Sequence, residues 1–174
     1  MVRLGKLTDA YQVAEIFEDA KDKFKNDGTY QWKGMYPNIE SFYHDFDNEL
    51  VIVYEDIQKN LILGTATIVF SIDKNYNEID GEWLNEEKYV SIHRIATKKG
   101  YLKNGIASSL FKEAEQIAIS KNIHNIKIDT HRNNFDMRNL LTKLGYIECG
   151  VIILLNRDDL TPIERERIAY QKII

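Results

Sequence analysis

The stretch Tyr89–Ala107, YVSIHRIATKKGYLKNGIA, decides how this chain is read. It begins as an extended, β-branched segment, turns through Lys98, Lys99, Gly100, Lys103, Asn104 and Gly105, and then enters an amphipathic helical pattern. A strand, a basic glycine-containing loop and a helix N-terminus form an arrangement suited to phosphate. Backbone N–H groups at the loop and helix start point at the anion, and the helix dipole adds roughly half a positive charge. The stretch therefore predicts a phosphate-bearing cofactor, and the rest of the chain must supply the chemistry.

Working outward, Val2–Leu7 reads as a strand, and Asp9 with Gln12 resembles a capping box opening a helix. Val13, Ile16, Phe17, Ala20 and Phe24 recur at helical spacing up to Asn26-Asp27-Gly28. Tyr30-Gln31-Trp32 and Tyr36-Pro37 precede a second helix from Asn38. Leu50–Glu55 and Leu61–Phe70 read as a hairpin across the polar turn Asp56–Asn60. After Gly81-Glu82-Trp83 come the strand Lys88–Thr97, the basic loop, and a helix marked by Ile106, Leu110, Ala114 and Ile117. The strand Ile123–Thr130, a loop at Arg132–Phe135, a helix stopping at Gly145, and the strands Tyr146–Leu155 and Arg165–Ile173 complete the chain. One strand–helix–strand crossover must set Lys88–Thr97 and Ile123–Thr130 parallel, while the hairpins are antiparallel. The expectation is an α/β fold with a mixed sheet, formed by one domain over residues 1–174.

Composition narrows the function. A chain of 174 residues can bury about two-thirds of its surface. Its 44% hydrophobic and 29% charged residues suit a globular protein. The net charge of −4 argues against a nucleic-acid partner. A single cysteine, Cys149, excludes an internal disulfide and a cysteine-rich metal site, so no metal is expected. No apolar run approaches bilayer length and no charged segment leads into an apolar one, so no membrane partner and a cytoplasmic location are expected.

The element order and the residues around the crossover resemble the GNAT superfamily of acetyl-CoA-dependent N-acetyltransferases. Gly105 and Ala107 match the last two marked positions of the family loop motif Gln/Arg-x-x-Gly-x-Gly/Ala. The first falls on Leu102, and Lys103 beside it supplies a positive charge. Asn134 with Lys143-Leu144-Gly145-Tyr146 looks like the family's asparagine loop and following helix end. Ser91–Ala96, Lys127–His131, Gln31-Trp32 and Tyr36-Pro37 are similar to a bacterial branch of uncharacterised members. The resemblance implies a mostly antiparallel sheet with a splayed central parallel pair, flanked by about four helices, and acetyl-CoA (coenzyme A) as cofactor. It implies backbone contacts to the cofactor at Ile95, Ala96 and Thr97. It places the pyrophosphate at Leu102, Lys103, Asn104, Gly105, Ile106, Ala107 and Ser108, with Asn134 and Lys143 nearby.

The implied reaction is direct attack of a primary amine, on a small molecule or a protein, at the thioester carbonyl. The base position usually filled by glutamate is Ser91 here, which cannot serve. His93, two residues on and on the same sheet face, is the first candidate base, with Glu82 second and Asp129 as an orienting carboxylate. Equally, His93, Asp129 and His131 could form a polar network that only pins the strands. The tyrosine that protonates the departing thiolate in many members corresponds to Leu141. Trp32, Tyr36 and Trp83 are candidates for the acceptor pocket by cation–π contact, with core packing as the alternative. The late strands offer an edge for a homodimer. Two other readings stay open: a non-catalytic acyl-CoA-binding or sensor module, and a nucleotide-binding domain of another α/β type. The second lacks a Walker-type ending.

Overall fold

The computed structural model describes residues 1–29 and 31–174; Tyr30, read above with Gln31-Trp32, lies outside them. In chain order the strands are β1 (Val2–Leu4), β2 (Leu50–Asp56), β3 (Leu61–Val69), β4 (Asp80–Gly81), β5 (Val90–Thr97), β6 (Asn125–Thr130), β7 (Ile147–Ile153) and β8 (Glu166–Ile173). The helices are α1 (Ala10–Asn26), α2 (Ile39–Asn48), α3 (Ile106–Ser120), α4 (Phe135–Lys143) and the single turn α5 (Pro162–Arg165). Among the described residues the eight strands form one sheet in the order β1-β2-β3-β5-β6-β8-β7-β4. Only β5 and β6 pair in parallel, so the mixed, mostly antiparallel sheet expected from the sequence is present.

Two layers of helix cover the sheet. On one face α3 and α4 bury Ile106, Leu110, Phe111, Ala114 and Leu141 against Ile52, Ile68, Val90, Ile92, Ile126 and Ile128. On the other, α1 and α2 bury Val13, Ile16, Phe17 and Phe42 against Val51, Val53 and Ile62. Farther along that second face, Tyr76 and Trp83 from the connection before β5 cover Cys149, Ile152 and Ala169. Strand β3 is buried on both faces, which accounts for its near-continuous apolar run. Its glycine has a purpose: a Cβ on Gly64 would stand 2.6 Å from Ile106 Cγ2 and 3.0 Å from the Ala96 carbonyl. The first turn of α3 can therefore sit directly on β3.

The central pair is splayed. β5 and β6 share register only at Val90↔Ile126 and Ser91↔Lys127, although β5 continues to Thr97 and β6 to Thr130. Toward β3 the register skips, with Thr67 facing His93 and Thr65 facing Ala96. Two steps on β3 thus face three on β5, which is a β-bulge. Arg94 in that bulge has a φ of 49°, unusual for a residue with a side chain. The conformation is held by tertiary contacts: the Arg94 guanidinium forks onto Asp45 of α2, with Nη2 2.7 Å from Oδ1 and Nε on Oδ2. Thr67 donates to the same carboxylate at 2.8 Å.

Some local expectations are corrected. The first strand stops at Leu4, and Leu7–Asp9 form a 3-10 turn. No side-chain capping bond opens α1 at Asp9. Arg3 captures that carboxylate at 2.8 and 3.0 Å, and Gln12 accepts from the Ile62 amide at 2.8 Å instead. Elsewhere the capping chemistry is regular. Asn38 accepts from Ser41 N at 3.1 Å to start α2, and Gly145, at a φ of 84°, follows α4.

Candidate active site

Two clefts open on either side of the splayed end of β5. The first, of about 520 Å³, lies between the C-terminal turns of α1, the bulged end of β5, the basic loop and the start of α4. Ile95, Ala96, Thr97, Leu102, Lys103, Gly105, Ile106, Ala107, Ser108 and Asn134 line it. Asn104 and Lys143, also assigned to the cofactor from the sequence, are exposed and stand outside this lining. Lys103 and Gly105 take left-handed conformations, with φ of 62° and 76°, and so turn the chain into α3. The earliest amides of α3 have no carbonyl a turn behind them; the first intrahelical bond runs from Ser109 N to Gly105 O at 2.9 Å. A Cβ on Gly105 would meet nothing within 4 Å, so the space above the helix start is open.

Sequence reading missed the opposite rim. Lys23 of α1 reaches Asp27 at 2.5 Å and Asp136 of α4 at 2.9 Å. Asp19 accepts from the Lys99 amide at 2.9 Å and ties the basic loop to α1. The only sequence signal was the position of these residues on the polar face of α1.

The second cleft, of about 900 Å³, is walled by β5, β6, β8, the loop after α1 and the 73–76 turn. Phe24, Ile95, Asn134 and Met137 line both clefts, so the two meet at the gap between β5 and β6. His93 lines the second cleft with Nε2 3.1 Å from Asp73 Oδ2. Asp73 is itself fixed: its Oδ1 accepts from Asn75 N at 2.9 Å and Nδ2 at 2.7 Å, and its amide donates to Tyr89 Oη at 3.2 Å. Burial pushes the Asp73 carboxyl up, but contact with His93 and the Asn75 donors outweighs burial and holds it below its usual value. An ionised carboxylate can only accept, so Nε2 carries the proton toward it and Nδ1 is the ring nitrogen left for other partners.

Asp129 is placed differently from the expectation that it orients a histidine. Its Oδ2 accepts from Tyr76 Oη at 2.9 Å and its Oδ1 lies 3.9 Å from Arg167 Nε. Tyr76 stands between, its ring stacked on His93 at 6.3 Å between centroids. His131 accepts from the Asn133 amide at Nδ1 and is held neutral, its pKa lowered to about 4 by burial and then by the charges of Arg167 and Arg132. Glu82 is exposed, its amide on the Cys149 carbonyl at 3.0 Å, outside the lining of either cleft. Trp83 is buried behind Tyr76, donating from Nε1 to the Tyr76 carbonyl at 3.1 Å, with Lys127 Nζ 4.1 Å from its ring centre. It too lies outside both linings. Trp32 and Tyr36 do line the second cleft. Trp32 packs edge-on against Phe17 and Phe24, and Tyr36 Oη accepts from Arg94 Nη1 at 2.8 Å. Gln31 joins this loop to the end of β6, its Oε1 accepting from Thr130 Oγ1 at 3.0 Å and His131 N at 3.1 Å. Asn134 caps α4 through Met137 N at 3.3 Å and donates to Thr130 Oγ1 at 3.1 Å. Cys149 is buried, which pushes its thiol pKa up and suits a core residue.

The family model for the acetyltransferase (GNAT) family matches residues 11–146, which hold α1, both central strands, the basic loop and α4. The chain belongs to the GNAT acetyltransferase family. Family membership supports an acetyl-transfer function. Among solved structures it is similar to a GNAT-family acetyltransferase from Streptococcus agalactiae 2603, at 26% identity and a TM-score of 0.81, covering 100% of this chain and 95% of that one. A candidate acetyltransferase from Staphylococcus aureus Mu50 matches at 26% identity and a TM-score of 0.70, over 99% and 98% of the two chains. A ribosomal-protein-alanine N-acetyltransferase from Brucella melitensis shares the fold at 16% identity and a TM-score of 0.72, over 100% and 99%. No curated protein matches the chain in sequence. Within the GNAT frame, the departures at Ser91 and Leu141 both fall on fully buried side chains. Ser91 Oγ has no hydrogen-bond partner among the described residues. No helix among the described residues is long and apolar enough to cross a membrane.

Proposed function

We propose that this protein transfers an acetyl group from acetyl-CoA to a primary amine by direct attack, with His93 as the base. The observation that carries this reading is the meeting of the two clefts at the splayed strand pair, with the basic loop on one side and the His93–Asp73 pair on the other. The residues fit coenzyme A. The open helix start at Gly105 and the Lys103 side chain suit a diphosphate. Residues Ile92–Thr97 of β5 have no register partner on β6, so backbone groups facing the gap are open to an amide-bearing arm. Bound there, acetyl-CoA supplies the activated thioester.

The chain's own residues then act in sequence. Trp32 and Tyr36 help enclose the acceptor. Asp73 holds the His93 ring, with Nδ1 as the lone-pair nitrogen that takes a proton from the acceptor's ammonium, so that the neutral amine attacks the thioester carbonyl. A backbone N–H in the splayed strand stabilises the carbonyl oxygen as it becomes an oxyanion. The leaving thiolate needs no acid from α4, where Leu141 is buried, because thiols ionise at about pKa 8.5. That same Leu141 favours the second reading, a non-catalytic acyl-CoA sensor.

Melting with and without acetyl-CoA, followed by thiol release across a panel of amines, separates the readings. The enzyme reading expects stabilisation and amine-dependent thiol release that falls at least about 10²-fold in His93→Ala. Stabilisation without release for any amine supports the sensor. Gly105→Glu should remove the stabilisation and leave the fold intact. No effect of millimolar acetyl-CoA on the wild-type melt defeats both.

A further inference from the structure

The acceptor-side cleft is electrically polar, and its positive wall is not explained by acetyl transfer alone. His93 on β5, Asp129 on β6 and Arg167 on β8 all line this cleft. Arg167 is only 4% exposed, a rare position for a guanidinium without a matched counter-ion. Its Nη1 donates to two backbone carbonyls, Glu164 O at 2.7 Å and Glu166 O at 2.8 Å. Its nearest ion-pair partner is Asp129, and the 3.9 Å from Nε to Oδ1 is too long for a hydrogen bond. The other oxygen of Asp129 is already taken by the Tyr76 hydroxyl. Nη2 has no hydrogen-bond partner among the described residues. Arg157, on the same wall, is satisfied by its own bidentate pair with Asp159 at 2.8 and 2.7 Å.

A buried charge is retained at a cost unless a partner is brought to it. Asp45, which balances Arg94, shows what a finished pair looks like in this cleft: two-pronged, with a hydroxyl added. Arg167 is the unfinished one, and burial together with repulsion from Arg157 disfavours its charge. We infer that Arg167 receives an anionic group of the acceptor, so the acceptor is an amine that also carries a carboxylate. The inference rests on the acetyltransferase reading and names the substrate class of that same site. Two strand intervals separate β5 from β8, so the backbones stand at least about 10 Å apart, and more where β5 and β6 splay; His93 and Arg167 both line the cleft between them. The span suits an amine and a carboxylate separated by several bonds.

The test uses the wild-type protein, acetyl-CoA and three matched series of equal chain length: ω-amino acids, their carboxamides and simple alkylamines. The carboxylates should be preferred in kcat/KM by about ten-fold or more over both neutral series, as one charge-assisted hydrogen bond allows, chiefly through KM. One chain length should stand out. Arg167→Gln should bring carboxylate and carboxamide to within about two-fold of each other, and Arg167→Lys should keep part of the preference. Should Arg167→Gln fail to fold by circular dichroism, the wild-type comparison decides alone. Turnover of amines with no preference for the carboxylate overturns the inference and leaves the acetyltransferase reading standing. Absence of thiol release with every amine overturns both.

Discussion

Removing Asp45 should destabilise this protein strongly. The side chain of Asp45 is 3% exposed and that of Arg94 is 14% exposed. Asp45→Ala would strand the Arg94 guanidinium in the sheet face with, among the described residues, only Tyr36 Oη, 2.8 Å from Nη1, as a partner. Breaking one side of a buried pair costs about 3–5 kcal/mol. The Thr67 hydroxyl, 2.8 Å from the same carboxylate, loses its acceptor for about another 1 kcal/mol. In a protein of this size each kcal/mol moves the midpoint by about 2–4 °C, so a total loss of about 4–6 kcal/mol should lower the melt by about 8–24 °C. Differential scanning calorimetry reads this directly. The double variant Asp45→Ala/Arg94→Met removes both charges and should recover about half of the loss or more, since an apolar replacement is often near neutral. It should not recover acceptor KM, because the bulge has lost its tie to α2. A midpoint for Asp45→Ala within about 1 °C of wild type would refute the reasoning, as would a double variant no more stable than the single.

Gly64→Ala should cost about 1–3 kcal/mol and weaken acetyl-CoA binding measured by calorimetry, because the new methyl displaces Ile106 and with it the start of α3; unchanged affinity with an unchanged melt would argue against it. Asp73→Asn should keep the fold and lower turnover by less than His93→Ala does, because the His93 ring loses the carboxylate that holds it; unchanged turnover counts against the pairing. His131 has a folded pKa near 4 against an ordinary 6.5, so the unfolded chain binds the extra proton first. Stability is then complete above pH 6.5 and falls as the pH drops toward 4, and urea melts of His131→Gln across that window should show a flatter slope.

The parts of this architecture that could be read from the chain are those set by local rules. The basic, glycine-containing loop announces a turn before a helix, and the structure places that turn there, with Lys103 and Gly105 in left-handed conformations. Alternation along β5 put Ser91 and His93 on one face, away from Val90 and Ile92 in the core under α3. What could not be read depends on contacts distant in sequence. Asp73 sits in a polar connection with nothing to set it apart from its neighbours, and only the folded chain brings it to His93. Asp129 was assigned from strand adjacency, yet the strands diverge after Ser91↔Lys127 and Tyr76 fills the interval. Trp83 looks in sequence like a pocket aromatic, but the connection that carries it folds over Cys149 and Ile152 as part of a small core of its own. Arg167 gave no signal at all, since an arginine opening a terminal strand reads as a solvated edge.

The two register pairs between β5 and β6 also make the sheet a mechanical joint. Four strands on each side, β1-β2-β3-β5 and β6-β8-β7-β4, form plates that hydrogen-bond internally and meet along a seam two residues long. The crossover helix α3 spans that seam as a strut, packing on both plates. Shear between the plates is resisted mainly by the apolar contacts of α3 rather than by the ladder, so salts and denaturants that act on apolar burial should loosen this joint before they unzip either plate.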